Sequence, residues 1–264
     1  CTKRKNRLKK NIAKNKEKIF SPFATNMLIL ISGSLAYDYI MDFPDSFKNH
    51  ILPEQIHILN VCFVVDKLQK NFGGTAGNIA HTIKLLGGDP LILSSLGSDA
   101  KEYLDYLEFK QISSKYIVTE EQLLSAAAYI TTDKDDNQIT AFFNGALQSA
   151  VELSVSSLTE PVTFALISPT KKEAMLKHAK ECYEKKIPFV FDPGQQVTAF
   201  SPQELMMTIG QANFLIGNDY EIKLIEEKTG WDTKELLNHV STLILTLGAQ
   251  GSVIRRQEEI FEIP

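Results

Sequence analysis

Gly73-Gly74-Thr75-Ala76-Gly77-Asn78 leads directly into a helical pattern at Ile79–Leu86 and is the most informative segment of the chain. Because glycine has no side chain, backbone N–H groups in such a turn can approach a ligand closely. The N-terminus of the following helix adds free N–H donors and a partial positive charge. The segment therefore predicts a binding site for hydroxyl groups or phosphate oxygens.

Around this segment, short apolar runs alternate with amphipathic stretches. The predicted strands are Leu28–Ser32, Leu91–Ser94, Thr163–Ile167, Phe189–Phe191, Phe214–Ile216 and Leu243–Thr246. The predicted helices are Ile79–Leu86, Lys171–Lys185, Pro202–Gln211, Glu221–Lys228 and Thr233–Val240. Such alternation predicts an α/β fold of parallel β/α/β units, in which ligands bind beyond the carboxyl ends of the strands.

Two segments interrupt this alternation. Residues 39–72 contain two prolines and a β-rich run at Ile56–Val65, without a crossover helix. Residues 126–143 are typical of a hairpin, in which Ala127–Thr132 and Gln138–Phe143 flank a polar turn. We predict that these segments form a small second sheet, a lid that excludes water from the ligand site. An extension of the edge of the main sheet is the alternative.

Composition and charge limit the classes of function that fit this chain. Residues 1–26 hold nine Lys and Arg and one acidic residue, which leaves 19 basic and 31 acidic residues in the rest of the 264-residue chain. We therefore expect one acidic domain at 27–264 that binds no nucleic acid, and a disordered or non-native basic extension at 1–26. The three cysteines form no Cys-x-x-Cys pair, and the apolar run Met27–Ile31 is too short to cross a membrane. A cytoplasmic protein without a membrane partner is the expectation.

Polar residues at the predicted strand ends are candidates for ligand binding. Asp38 follows the first strand, and its carboxylate could accept hydrogen bonds from two adjacent sugar hydroxyls; a turn or cap is the alternative. Asn78 offers a donor and an acceptor to the same hydroxyls, or forms a local cap. Asn218 and Glu221 either form a capping box or lie beside Mg²⁺ that is held through water.

Two further strand ends could face a nucleotide. Thr246–Gly251 either lets the backbone pass close to a nucleotide or forms the turn of a hairpin, and Asp192 either lies near phosphates or starts a turn. The sequence contains no Walker-type motif, no Gly-x-Gly-x-x-Gly and no Gly-x-Ser-x-Gly, and its five histidines lack metal-ligand spacing. An NAD-dependent oxidoreductase is therefore supported only by the β/α alternation and the glycine-rich turn.

Taken in order, these segments resemble the ribokinase, or PfkB, family of sugar and nucleoside kinases. The matching segments are Gly33–Asp38, Gly73–Asn78, Leu96–Asp99, Asp192–Gly194, Asn218–Glu221 and Thr246–Gly251, and the resemblance extends from Met27 to Pro264. Phe47–Pro53 together with Asp135–Phe142 is most similar to a bacterial adenosine-kinase-like branch. That branch tends to have Pro where this chain has Asn144.

The resemblance implies a three-layer α/β/α sandwich with a mostly parallel central sheet and a small β-sheet lid. It also implies transfer of the ATP γ-phosphate, with Mg²⁺, to a ribose-type 5′-hydroxyl. The expected reaction is the conversion of adenosine to AMP. The residues expected to bind the acceptor are Ser34, Asp38, Gly73, Gly74 and Asn78. Those expected to bind the nucleotide are Asn218, Thr246, Gly248 and Gly251, and those expected near Mg²⁺ are Glu221, through water, and Asp192. A homodimer formed through the lid is a further expectation.

One part of the family pattern lies outside this sequence. The family carries Asp/Asn-x-x-Gly-x-Gly-Asp shortly after the position of Pro264; its glycines form an anion hole and its last Asp is the catalytic base. We therefore expect the 264-residue chain by itself to be inactive, with one face of its sheet exposed. A kinase acting on ribose or fructose and a non-catalytic nucleoside-binding protein are the alternatives within this fold.

Overall fold

A computed structural model of the chain describes residues 27–58 and 60–264. The predictions for the basic segment 1–26 concern residues outside this part. The described residues form a central sheet of nine strands and a separate sheet of four strands. The predicted α/β fold, with a large, mostly parallel sheet and a smaller second sheet, is therefore confirmed.

The central sheet contains all six strands that the apolar runs predict. Numbered in chain order over both sheets, its strands are β1 (Leu28–Ser32), β4 (Asp89–Gly97), β5 (Ser113–Glu120), β8 (Phe164–Ile167), β9 (Phe189–Phe191), β10 (Phe214–Asn218), β11 (Thr242–Thr246), β12 (Ser252–Arg256) and β13 (Glu259–Ile263). Their spatial order is β13-β12-β11-β10-β9-β8-β1-β4-β5, and the strands from β11 to β5 are parallel. The loops that follow the parallel strands therefore converge at one edge of the sheet.

Helices cover both faces of this sheet. They are α1 (Thr75–Leu85), α2 (Lys101–Phe109), α3 (Lys172–Glu184), α4 (Pro202–Gln211), α5 (Asp219–Thr229) and α6 (Thr233–His239). Since side chains alternate along a strand, Leu30 of β1 packs in the core beneath α3 to α6 while Ile31 packs in the core beneath α1 and α2. Beyond α1 and α2 on the second face, Leu166, Val190 and Ile216 are only partly buried.

The second sheet consists of β2 (Ala36–Asp42), β3 (Lys67–Gly73), β6 (Ala126–Thr132) and β7 (Gln138–Phe143), in the order β3-β2-β6-β7. The predicted hairpin is confirmed as the antiparallel pair β6–β7. Asp133 closes its turn by accepting hydrogen bonds from the Asp135 and Asn137 N–H groups, each at 2.9 Å.

One prediction for this region is wrong, and the turn-or-cap alternative for Asp38 does not apply. Ile56–Val65 is not a strand: Pro53–Ile58 is a 3₁₀ helix, and Phe63 packs 4.9 Å from the rings of both Phe43 and Phe47, so its hydrophobicity fills an aromatic cluster. Asp38 does not follow a strand as a turn or cap residue. It lies inside β2, because the chain turns at Gly33–Leu35 and immediately enters the second sheet.

Candidate active site

A cleft of about 600 Å³ opens at the edge of the central sheet where the parallel strands end. Residues at or just after the carboxyl ends of β1, β8, β9, β10 and β11 line it, and Phe142 reaches it from the second sheet. The predicted site residues in its lining are Ser34, Gly74, Asn78, Asp192, Asn218, Glu221 and Thr246. The others, Asp38, Gly73, Gly248 and Gly251, are not part of the lining. Residues predicted for the acceptor and for the nucleotide thus share one cleft.

The glycine-rich turn is held against the loop after β1 by reciprocal hydrogen bonds. The Thr75 N–H donates to Ser34 Oγ at 3.0 Å, and the Ser34 N–H donates to Thr75 Oγ1 at 3.1 Å. The Thr75 hydroxyl donates to the Pro169 carbonyl after β8, at 3.0 Å. Gly74 has φ +85°, and a Cβ there would lie 2.4 Å from the Ser34 carbonyl oxygen, so only glycine fits. Thr75, which sequence reasoning did not single out, therefore links two walls of the cleft.

The first turn of α1 offers fewer free donors than the sequence predicts. The Ala76 N–H donates to the Ser34 carbonyl at 2.9 Å, and the Thr75 N–H is also bonded to Ser34. The Asn78 side chain is exposed, lines the cleft and hydrogen-bonds to no described residue, so the local cap considered for it does not form. Asn78 is therefore the free polar side chain that α1 presents to a ligand.

Asp38 stands beside the cleft, against the glycine-rich turn. It lies opposite Asn71 in the β2–β3 pair, and a Cβ on Gly73 would lie 2.1 Å from Asp38 Oδ2. The carboxylate is half-buried, accepts no hydrogen bond from the described residues, and has a pKa raised by burial. A desolvated carboxylate without a partner is suited to accept hydrogen bonds from the hydroxyls of a ligand. Gly73 makes room for this carboxylate rather than contacting the cleft.

Asn218 and Glu221 form the capping box of α5. Asn218 Oδ1 accepts from the Glu221 N–H at 2.7 Å, and Glu221 Oε2 accepts from the Asn218 N–H at 2.9 Å. Both residues also line the cleft, so the structural and the ligand-binding interpretations are compatible. The Asn218 amide nitrogen and Glu221 Oε1 take no part in the box.

Asp192 carries a partly buried carboxyl group in the same part of the cleft. Burial, and next the negative charge of Glu221, raise the pKa of Asp192 to about 7. Among the described residues, no group of three His, Cys, Asp or Glu side chains is placed to hold a metal ion. Asp192 and Glu221 therefore place two carboxyl groups in this part of the cleft, but the described residues form no protein-only metal cage.

The glycines after β11 lie away from the cleft. Gly251 has φ +84°, and a Cβ there would lie 1.9 Å from the Ile263 carbonyl oxygen of β13. Its carbonyl accepts a hydrogen bond from the Leu247 N–H at 2.8 Å. Gly248 has φ +56° in open space. The hairpin alternative therefore accounts for Gly251, while Thr246 alone of this segment lines the cleft.

Residues 50–264 match the model of the pfkB family carbohydrate kinases. The chain belongs to this family. It is 34% identical over 235 residues to a nucleoside kinase of Methanocaldococcus jannaschii, and the matched region covers 88% of this chain and 73% of that protein. By family, this chain is a kinase.

Solved structures of nucleoside kinases share the fold of this PfkB-family chain. The crystal structure of the Methanocaldococcus jannaschii nucleoside kinase matches with a TM-score of 0.80 at 32% identity, over 90% of this chain and 76% of that one. The Burkholderia thailandensis nucleoside kinase in complex with inosine matches with a TM-score of 0.81 at 38% identity, over 89% of this chain and 75% of that one. The same enzyme in complex with ADP-inosine matches with a TM-score of 0.79 at 40% identity.

Sequence reasoning missed several residues that line the cleft of this PfkB-family chain. Phe142, Thr170 and Gln196 belong to its lining, and the Thr170 hydroxyl is buried without a hydrogen-bond partner among the described residues. Thr170 follows β8 as Asp192 follows β9, so the strand-end signal used elsewhere could have found it. No helix in the part of the chain that the structure describes is long and apolar enough to span a membrane.

Proposed function

We propose that this chain binds a purine nucleoside and ATP in the cleft and takes part in transfer of the γ-phosphate to the ribose 5′-hydroxyl, converting adenosine to AMP. The observation that carries the proposal is that Ser34, Gly74 and Asn78 line the same cleft as Asn218, Glu221 and Thr246. One cleft can then hold an acceptor and a phosphate donor in contact, and phosphoryl transfer depends mainly on such positioning. The nucleoside kinases among the relatives support this substrate class.

The ribose is proposed to bind where Asp38, Asn78 and the turn at Gly74 meet. The unpartnered Asp38 carboxylate would accept from two ribose hydroxyls, and the free Asn78 amide would donate to and accept from them. Thr75 would hold this turn against Ser34 through their reciprocal hydrogen bonds. These contacts orient the 5′-hydroxyl without chemical change, which is the role of acceptor-binding residues in a kinase.

The register of the second sheet supplies a place for the base. Asp38 lies opposite Ala128 in β6, and Ala128 lies opposite Phe142 in β7, so the three side chains share one face of the sheet. Neighbouring strands are about 4.8 Å apart, which puts Phe142 roughly 10 Å from Asp38 along this row. That separation suits a ribose at Asp38 and a base stacked on Phe142, with the small Ala128 leaving space between them. The second sheet would thus close over the nucleoside as a lid.

The chemistry of the nucleotide side fits Mg²⁺. Burial, and next the neighbouring Glu221 carboxylate, raise the pKa of Asp192, and Mg²⁺ prefers one or two carboxylates together with water and phosphate oxygens. Asp192 and Glu221, the latter through water, would hold the ion, and Thr246 and Asn218 would contact the nucleotide. Bound Mg²⁺ supplies positive charge that neutralises the phosphates. No residue of the cleft is assigned as the general base, so ligand binding carries the test of this site.

Calorimetric titration of the full chain with adenosine, inosine, ribose and fructose tests the substrate class, followed by assay of each for phosphorylation with Mg-ATP. Binding of the nucleosides, with much weaker binding of the free sugars, is the expected result. Tighter binding of ribose or fructose than of either nucleoside would favour a sugar kinase. Because the 264-residue chain is expected to be inactive by itself, nucleoside binding without product agrees both with the proposed function and with the non-catalytic alternative, whereas any phosphorylated nucleoside would exclude that alternative.

The variants Phe142→Ala and Phe143→Ala test the role of the lid in binding the base. The two side chains are adjacent and similarly exposed, at 52% and 45%, but they point to opposite faces of β7. Removing Phe142 should weaken inosine binding roughly tenfold, the cost of one lost aromatic stack, and leave ribose binding unchanged. Removing Phe143 should change neither, with the oligomeric state of both variants checked in parallel. Equal losses in the two variants would contradict base stacking on Phe142.

A further inference from the structure

Tyr103 lies outside the cleft but bonds to the glycine-rich turn. It belongs to α2, its side chain is only 1% exposed, and its hydroxyl donates to the Gly73 carbonyl at 2.6 Å. Gly73 is the last residue of β3 and precedes the left-handed Gly74 that lines the cleft. The hydroxyl therefore bonds to the chain where β3 of the second sheet continues into helix α1.

Gly77 accommodates this hydroxyl. A Cβ at Gly77 would lie 2.0 Å from the Tyr103 oxygen, a distance that side-chain carbons do not adopt. Glycine inside a helix costs about 1 kcal/mol relative to alanine, so its presence in the first turns of α1 calls for a structural reason. The close approach of Tyr103 is that reason, because α1 has space for the hydroxyl only where residue 77 lacks a side chain.

The aromatic ring of Tyr103 is held by both strands that carry the acceptor site. It packs 5.7 Å from the ring of Tyr37 and 5.2 Å from the ring of Phe72, centroid to centroid. Tyr37 precedes Asp38 in β2, and Phe72 precedes Gly73 in β3. Since Gly73 in turn packs against the Asp38 carboxylate, a continuous series of contacts connects the Tyr103 hydroxyl to the proposed ribose-binding group.

We propose that Tyr103 is a positioning residue for the nucleoside: its hydroxyl holds the Gly73 carbonyl so that Asp38 and the Gly74 turn face the same ribose. The inference rests on the proposed function of the cleft. Tyr103 does not line the cleft, and its effect reaches the ligand through Gly73. The residues proposed for the nucleotide, Asn218 and Thr246, are the last residues of β10 and β11, and Tyr103 makes no hydrogen bond to them.

The variant Tyr103→Phe tests the hydroxyl alone, with Tyr106→Phe as the matched control. Tyr106 lies in the same helix, and its hydroxyl bonds to His81 Nδ1 at 2.8 Å rather than to the turn. Each variant is titrated with inosine, adenosine and ADP. Tyr103→Phe should lower the affinity for both nucleosides about fivefold, the equivalent of one hydrogen bond, and leave the affinity for ADP unchanged. Tyr106→Phe should leave all three affinities unchanged.

The variant Gly77→Ala provides a second, independent test of the same contact. Its new methyl group should displace the Tyr103 hydroxyl and weaken nucleoside binding in the same way. In the double variant with Tyr103→Phe, the next ring atom, Cζ, is 3.3 Å from the added Cβ, so the double variant should bind nucleosides about as well as Tyr103→Phe alone. Such non-additivity is expected only if both substitutions act on one contact.

The outcomes separate a positioning role from a structural one. A lower melting temperature with parallel losses of nucleoside and ADP affinity in Tyr103→Phe would overturn the positioning role and leave a stabilising one. Unchanged nucleoside affinity in that variant would overturn it as well. If the unaltered chain binds ADP but neither nucleoside, the proposed function itself fails, and the positioning role fails with it.

Discussion

At the scale of single residues, Asp192 makes a pH-dependent contribution to stability. The group has a folded-state pKa of about 7 against an ordinary value of 3.8, because it is buried near Glu221. Between these values the folded chain keeps a proton that the unfolded chain has released, so the free energy of unfolding falls as pH rises. Below the ordinary pKa both states are protonated, and above about pH 7 both are ionised, so the fall is confined to that window.

Asp192→Asn should remove this pH dependence because an amide does not ionise. We expect the variant and the unaltered chain to have similar free energies of unfolding near pH 4, and the variant to be more stable at pH 8 by an amount on the order of a few kcal/mol. Urea denaturation at several pH values between these limits, without divalent cation, measures the difference. A constant difference at every pH would show that Asp192 is ionised in the folded chain throughout.

Single residues also differ in whether the sequence predicts their place in the site. Asn78 and Asn218 could be expected at the cleft because each carries a polar side chain next to a recognisable strand or helix end. The contact between Asp38 and Gly73 could not, since it depends on the register of β2 with β3. Tyr103 gives no signal at all in the sequence, because its hydroxyl meets Gly73 only after α2 has packed on α1 and the second sheet.

At the scale of elements, α5 is expected to connect stability with the proposed nucleotide binding through Glu221, which completes its capping box and lines the cleft. In Glu221→Gln the amide oxygen can still accept from the Asn218 N–H, since Gln serves as well as Glu at this position of a capping box. We expect unfolding free energy to change by less than about 0.5 kcal/mol, because the box remains. Loss of the negative charge should weaken Mg-ADP binding about tenfold or more, as for other residues that support a metal through water.

Glu204→Gln is the control for this substitution. Ser201 and Glu204 form the same capping box at α4, away from the cleft lining, so this variant should keep full affinity for Mg-ADP. Calorimetric titration with ADP, in the presence of Mg²⁺ and again in EDTA, separates the two effects of Glu221. Equal loss of affinity with and without Mg²⁺ would mean that Glu221 acts on the nucleotide site without supporting the ion.

The elements also differ in how well the sequence predicts them. Six strands of the central sheet are short apolar runs and five helices carry a clear apolar face, so these were predicted within a few residues, whereas β5 and α2 were not predicted. Strand β3, Lys67-Leu68-Gln69-Lys70-Asn71-Phe72-Gly73, is exposed over its first five residues and has no such pattern. Pairing with β2 makes it a strand, whereas the more apolar Ile56–Val65 is not one.

At the scale of the whole molecule, the second sheet has one face toward the cleft and one face exposed. Asp38 and Phe142 lie on the face toward the cleft. On the opposite face the side chains of Leu68, Tyr129 and Ile139 are exposed at 64%, 45% and 43%. A row of exposed apolar side chains across a sheet is typical of a surface that meets another protein. A second copy of this chain, docked through the same face, is the partner that the sequence analysis predicts.

Ile139→Lys and Thr140→Lys distinguish this dimer from a monomeric chain, because the two neighbours in β7 point to opposite faces of the same sheet. In a symmetric dimer each copy presents Ile139 to its partner, so one substitution places two charges in the shared apolar surface, where they lose hydration without gaining a partner. Light scattering after gel filtration should therefore show a dimer for the unaltered chain and for Thr140→Lys, and a monomer for Ile139→Lys. A monomeric unaltered chain, or a dimer that survives Ile139→Lys, would mean that the exposed face of the second sheet is not the contact between copies.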